Sequence, residues 1–307
     1  MTKRLNGVKI SNLITLFFIL YLTLFVGCSS ESPQDAFLNE TQTDTTADSD
    51  LPTDSAELIS AFFGLDNGLP RTADRGICQG AGNADGMPVI FSTEIDLETM
   101  QAGDFQVITA SGEIGTITCV TLAPAIDEGE LRTVLVVGEF GSADSDPPTT
   151  VEIIGNIHSI DQTINFKGAT VAVTPLDPGP SIVFAEIVPR EMWHLGRESD
   201  GSWGSSNGCP TDGVEQVVRA TWNGGVTLSD DKEITNADRD LYAVTVQSAD
   251  GTTREITPFA LGDLDDGDNN HELCLDTADK LISIFFPEGH FTDPNDDLNP
   301  ETTISIP

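Results

Sequence analysis

From Glu57 to Pro307 the apolar runs are short, and each is closed by Gly, Pro, Asp or Asn. None carries a sustained stripe of period 3.6, so a helical core is excluded. Runs of this length bounded by turn formers are the strands of a sandwich or barrel. Seven fall in the first half: Ile59–Leu65, Met87–Phe91, Phe105–Ala110, Thr116–Leu122, Arg132–Gly138, Thr150–Ile154 and Ala169–Thr174. Seven more follow: Ile182–Ile187, Gln216–Trp222, Leu241–Ser248, Thr253–Leu261, Glu272–Leu275, Leu281–Phe286 and Thr302–Ile306.

The halves read as two copies of one design. Gly76–Phe91 parallels Asn207–Trp222, and Leu122–Glu130 parallels Ala260–Asp268. Phe166–Pro175 parallels Asn299–Pro307 in the same order. Self-similarity at a fixed offset is the mark of duplication. Seven short strands in each half match an immunoglobulin-like sandwich. The expected fold is therefore all-β: two tandem seven-stranded immunoglobulin-like β-sandwiches from an internal duplication, over residues 57–178 and 179–307.

Phe91-Ser-Thr-Glu-Ile-Asp96, followed by Met100 to Val107 with Asp104-Phe105 at its centre, resembles the bacterial Ig-like domains of cell-surface proteins. That resemblance implies a surface spacer or adhesive module and transfers no catalytic residue.

Besides Cys28 there are four cysteines: Cys78, Cys119, Cys209 and Cys274. An even number in an exported chain points to disulfides, with three pairings open. Cys78 and Cys209 are equivalent in the repeat. The economical pairing is then Cys78–Cys119 and Cys209–Cys274, one bridge in each half.

The N-terminal segment is of another kind. Lys3, Arg4 and Lys9 precede an uncharged run from Leu13 to Gly27, fifteen residues long. A basic start before a short apolar stretch reads as a secretory signal, residues 1–27, rather than a bilayer span of about 20 residues. Leu24 to Ser30 resembles the lipobox of bacterial lipoproteins, with Gly27 before Cys28 and Phe25 where leucine is usual. The resemblance implies that Cys28 is lipidated and becomes the new N-terminus. Ser29 in place of Asp implies sorting to an outer membrane. Residues 28–56 contain acids and no Lys or Arg, with Phe37, Leu38 and Leu51 as the bulky apolar side chains. Such a stretch cannot bury enough surface to order itself, so a tether is expected, spanning roughly 30 Å.

The chain has 14 Lys and Arg against 50 Asp and Glu, a net charge of −36. Residues 1–27 hold three cations and no acids, so the remainder carries −39. A field of that sign repels nucleic acid and excludes it as a partner. The acidity serves solubility, divalent cations or a basic partner.

Two acidic loops are candidate Ca2+ sites. One offers Asp263, Asp265, Asp266, Asp268, Asn270 and Glu272; the other offers Asp293, Asn295 and Asp297. Calcium takes six to eight oxygens, which such loops can supply. The EF-hand spacing fails, so a solvated turn is the favoured reading of the first loop. A rigid turn between Pro294 and Pro300 stands equally for the second. Trp193, His194 and Trp203 lie in a Gly/Ser-rich stretch. Exposed rings there can grip a sugar or a protein partner. Alternatively, Trp193 plugs the interdomain joint and Trp203 covers the Cys209 bridge, and this is the favoured view. The sequence lacks a Gly-x-Ser-x-Gly elbow, an HExxH motif and a phosphate loop.

The expectation is a non-enzymatic, lipid-anchored structural or binding module of the cell envelope, engaging the membrane through its lipid and an unknown surface protein or glycan. A calcium-dependent adhesin for carbohydrate or protein is the alternative, and a secreted hydrolase a distant third.

Overall fold

The computed structural model describes residues 49–200, 204–229 and 232–307. Cys28, the expected signal and most of the expected tether lie outside them. The tether's last residues are tied down: Ala56 packs on the first core, and the Asn165 N–H donates to the Pro52 carbonyl at 2.9 Å.

The first half contains β1 (Leu58–Phe62), β2 (Asp85–Phe91), β3 (Phe105–Thr109), β4 (Thr116–Thr121), β5 (Thr133–Glu139), β6 (Pro148–Ile153) and β7 (Thr170–Thr174). They are hydrogen-bonded in the order β3-β6-β7-β1-β2-β5-β4. The β1–β7 pair is parallel, with Ala61 opposite Val173, and the others are antiparallel. The ladder folds over at this parallel pair, so β1-β2-β5-β4 faces β3-β6-β7. Alternate residues of each face enter one core: Met87, Val89 and Phe91 from β2, Val134 and Val136 from β5, Phe105 and Val107 from β3, Val151 and Ile153 from β6. This is the period-two burial of packed sheets. Phe91 meets Phe166 edge-on at 4.9 Å.

The second half contains β8 (Ile182–Ile187), β9 (Gln216–Trp222), β10 (Thr227–Leu228), β11 (Ala243–Gln247), β12 (Thr253–Ile256), β13 (Ala260–Gly262), β14 (Asn270–Leu275), β15 (Lys280–Phe286), β16 (Phe291–Thr292) and β17 (Thr302–Ser305). Its sheets run β13-β14-β9-β8 and β12-β11-β15-β17, with β10 and β16 as a separate ribbon. The first sheet repeats the order β4-β5-β2-β1, and β11-β15-β17 repeats β3-β6-β7. Each half thus has the strand order of an immunoglobulin sandwich. The second core is more aromatic. Trp222, Tyr242, Phe286 and Phe291 interlock, and the Trp222 indole donates to the Tyr242 hydroxyl at 3.1 Å.

Two details depart from the sequence reading. The expected strand Thr253–Leu261 is two strands, β12 and β13, in different sheets. Pro258 lies between them, and a proline cannot donate to a ladder. The β10–β16 ribbon was not expected, because two-residue strands leave no periodicity to read.

Both disulfides form as the repeat suggests, Cys78–Cys119 and Cys209–Cys274. Each fastens a loop over the outer face of a sheet. Leu69, Ala73, Ala81 and Ala84, around the helical turn α1 (Ala73–Gly76), pack on Val137 beside the first bridge. Val188, Trp193 and Val217 pack around the second. Cys119 lies on β4, whereas Cys274 lies on β14, the counterpart of β5. Residues 175–181 join the halves.

Candidate functional site at the seam

The two loops aligned in the sequence repeat meet in space. One connects β4 to β5 and carries Asp127 and Glu130; the other connects β13 to β14 and carries Asp263, Asp266 and Asp268. Between them lies Arg219 of β9. In the register of that sheet, Arg219 sits opposite Glu272 of β14 and Glu186 of β8. Val218 and Ala220 face the core, so alternation sends Arg219 to the other face. That face lies under the first half, and the Arg219 side chain is only 2% exposed.

Arg219 is held from both halves. Its Nε lies 3.2 Å from Glu130 Oε1, and Nη1 donates to the Gly129 carbonyl at 2.9 Å. Nη1 also donates to Glu186 Oε1 at 3.2 Å, and Nη2 to Glu272 Oε1 at 3.1 Å. Gly129 has φ +96°, and a Cβ there would lie 2.7 Å from Arg219 Nη1, so both its conformation and this close approach require glycine. Arg132 crosses the seam as well. It donates to both oxygens of Glu186 at 3.0 Å and stacks 4.5 Å over Phe184. A third link runs from Arg197 Nη2 to Asp127 Oδ2 at 2.5 Å, an oxygen that also accepts from Ser206 Oγ at 2.6 Å.

Seven carboxylates and three guanidiniums share this region: Asp127, Glu130, Glu186, Asp263, Asp266, Asp268 and Glu272 against Arg132, Arg197 and Arg219. Burial disfavours each charged form. It pushes Glu130, Asp263 and Asp268 well above the carboxylate range, and neighbouring acids push further. Asp266 is pushed up to about 6 and Glu272 to about 7, chiefly by burial. Burial opposes the charge on Arg219, but Glu130, Asp263, Glu272 and Glu186 outweigh it and hold its pKa above the usual value.

Asp127, Glu130 and Asp263 each bring one carboxylate oxygen to within 4.8 Å of the others. Asp263, at φ +60°, is thereby grouped with residues of the opposite sandwich rather than with its own loop. Asp265 is exposed. Asp266 accepts the Asp268 N–H at 3.2 Å, and Asp268 accepts the backbone and side-chain N–H groups of Asn270 at 2.7 and 2.8 Å. Asn270 Oδ1 accepts from Thr221, and Glu272 pairs with Arg219. In the second loop, Asp293 Oδ1 accepts the N–H groups of Asn295 and Asp297, closing a turn. The Asn295 amide donates across the seam to the Gly64 carbonyl.

Trp193 is not an exposed ring. It is 5% exposed beside the Cys209–Cys274 bridge, and its indole donates to the Val188 carbonyl at 2.9 Å. It thus covers the bridge, the place expected for Trp203, which lies outside the described residues. His194 is half-buried at φ +43°. Beside the carboxylates, a mainly apolar cleft of about 170 Å³ opens along the seam, lined by Phe62, Leu65, Leu69, Pro88, Leu122 and Pro124, with Gly224, Gly267 and Asn269 opposite.

The sequence reading missed Asp127, Glu130, Glu186 and Arg219. Signals existed for two of them, Glu130 and Arg219. The repeat sets Glu130 against Asp268, and Arg219 interrupts the apolar run from Val217 to Ala220.

No protein-family model matches the chain, and no curated protein matches it. Among solved structures it is similar to the N-terminal part of the bacterial S-layer protein SbsC, at 10% identity over 82% of this chain, with a TM-score of 0.26. The chain spans 44% of that structure's length. A likeness of that degree carries no weight here.

Proposed function

We propose that this chain is a non-enzymatic cell-envelope lipoprotein, held to a membrane by lipid on Cys28, that presents its two sandwiches to a surface protein or glycan as one clamped unit. The supporting observation is the position of Arg219. Its guanidinium binds groups of both halves, so the sandwiches cannot swing apart without stranding a buried charge. Among the described residues, the most perturbed carboxylates are thereby engaged with one another in a joint. A spacer or display module requires such stiffness. The two disulfides fit an oxidising, extracytoplasmic setting. An outer-membrane address is the further reading, carried by Ser29 after Cys28.

The test is metabolic labelling with a palmitate analogue in wild type and in Cys28→Ala. Label is expected in the membrane fraction of wild type and absent from the variant. A wild type that takes up no label refutes the anchor. Small-angle scattering of the purified protein then addresses the clamp. One narrow conformation is expected, and Arg219→Met should broaden it.

A further inference from the structure

We propose that the seam is a divalent-cation site matched to calcium, in which Asp127 and Glu130 of the first sandwich and Asp263 of the second bind one ion between them.

The geometry fits. Calcium–oxygen distances are about 2.3–2.6 Å, so two oxygens on one ion stand at most about 5 Å apart. The three carboxylate oxygens all lie within 4.8 Å of one another. Glu130 is 1% and Asp263 2% exposed, yet neither Glu130 Oε2 nor Asp263 Oδ2 accepts from a donor, and the two carboxyls meet each other. A buried carboxylate oxygen without a donor is costly, and a cation between the two satisfies both. The neighbourhood supplies the charge: seven carboxylates face only three guanidiniums, Arg132, Arg197 and Arg219, an excess of four negative charges when all are ionised. An all-oxygen donor set selects a hard cation over zinc or copper. Magnesium demands near-ideal octahedral geometry and keeps several waters. A site walled by protein loops from two sides suits calcium better.

The ion would bind both sandwiches at once, so it would stiffen the joint rather than one loop. The site stands independently of the lipid anchor, and a failed labelling experiment leaves it untouched. The competing occupant of this space is a proton shared between Glu130 and Asp263.

The experiment is calorimetric titration of the full chain, purified in detergent and stripped with chelator, with calcium alone and with magnesium alone. Thermal unfolding is followed in parallel. Wild type is expected to bind calcium in preference to magnesium and to melt at a higher temperature when loaded. Asp127 is half-buried at the edge of the group, so Asp127→Asn should fold normally and bind calcium at least about tenfold more weakly. Glu130→Gln should lose the calcium-induced rise in melting temperature, each form being compared with its own metal-free state, since the change removes one ligand. Asp265→Asn, in the same loop but exposed, should bind as wild type does. Two results overturn the proposal: no calcium binding by wild type, or equal binding by wild type, Asp127→Asn and Glu130→Gln. If calcium is inert and Glu130→Gln raises the melting temperature, the two carboxyls share a proton.

Discussion

Arg219 Nε stands 3.2 Å from Glu130 Oε1, a contact between residues 89 positions apart that joins the two sandwiches through buried charges. Neither side chain is more than 2% exposed. The pair turns a connection of residues 175–181 into a fixed joint.

Arg219→Met should destabilise the protein by about 3–5 kcal/mol, because the buried Glu130 and Glu272 and the half-buried Glu186 lose their common cation. Urea unfolding measures this. Adding Glu130→Gln and Glu272→Gln to the same chain should restore part of the loss, since the uncompensated acids are then gone. A double-mutant cycle that shows simple additivity would refute the network.

Gly129→Ala should cost about 1–3 kcal/mol. The cost comes from the positive φ and from the Cβ driven against Arg219. Gly112 also has a positive φ but meets nothing within 4 Å, so Gly112→Ala isolates the backbone part of the effect. The difference between the two variants, read from chemical denaturation, reports the contact with Arg219.

In metal-free buffer, stability should fall as the pH rises from about 5 to about 7. The folded pKa values of Asp266, about 6, and Glu272, about 7, lie above their ordinary values of 3.8 and 4.5. Glu130, Asp263 and Asp268 are shifted in the same direction. The folded state therefore holds more protons than the unfolded state in this window, and each group's contribution is lost as pH passes its folded pKa. His271, lowered to about 3 by burial, works the other way, but as one group against five. Melting temperatures across this range check the slope, and Glu272→Gln should flatten its upper end.

Trp193→Ala should destabilise the protein by about 3–5 kcal/mol through the cavity left beside the Cys209–Cys274 bridge and the loss of the bond to Val188. Differential scanning calorimetry measures the loss. Trp193→Phe, which keeps most of the volume and removes the N–H, should cost less. An unchanged melting temperature in Trp193→Ala would return the ring to the surface.

The strands were legible because alternation and turn residues are local. Met87, Val89 and Phe91 read as one face of a strand before any partner is known, and the Gly and Asp residues around them mark its ends. The observed pairing of the cysteines is the one that the equivalence of Cys78 and Cys209 made economical. The change of sheet around Pro258 was less legible, since Thr253–Leu261 reads as one continuous extended run. The acidic loop at Asp263 was visible as a cluster of oxygens, but its partners were not. Asp127 and Glu130 lie more than 130 positions away, in a loop with nothing unusual in its own composition.

The sequence by itself determined the all-β class and the two sets of seven principal strands, and it favoured one of three pairings of the four cysteines, because hydrophobic period, turn chemistry and repetition act over a few residues. Only the tertiary structure decided that Asp263 belongs with Asp127 and Glu130, that Arg219 is the shared cation and that Trp193 is core. Those outcomes depend on which outer faces of two sheets come to rest against each other. Burial at that contact, rather than residue type, turned scattered surface acids into one coupled group.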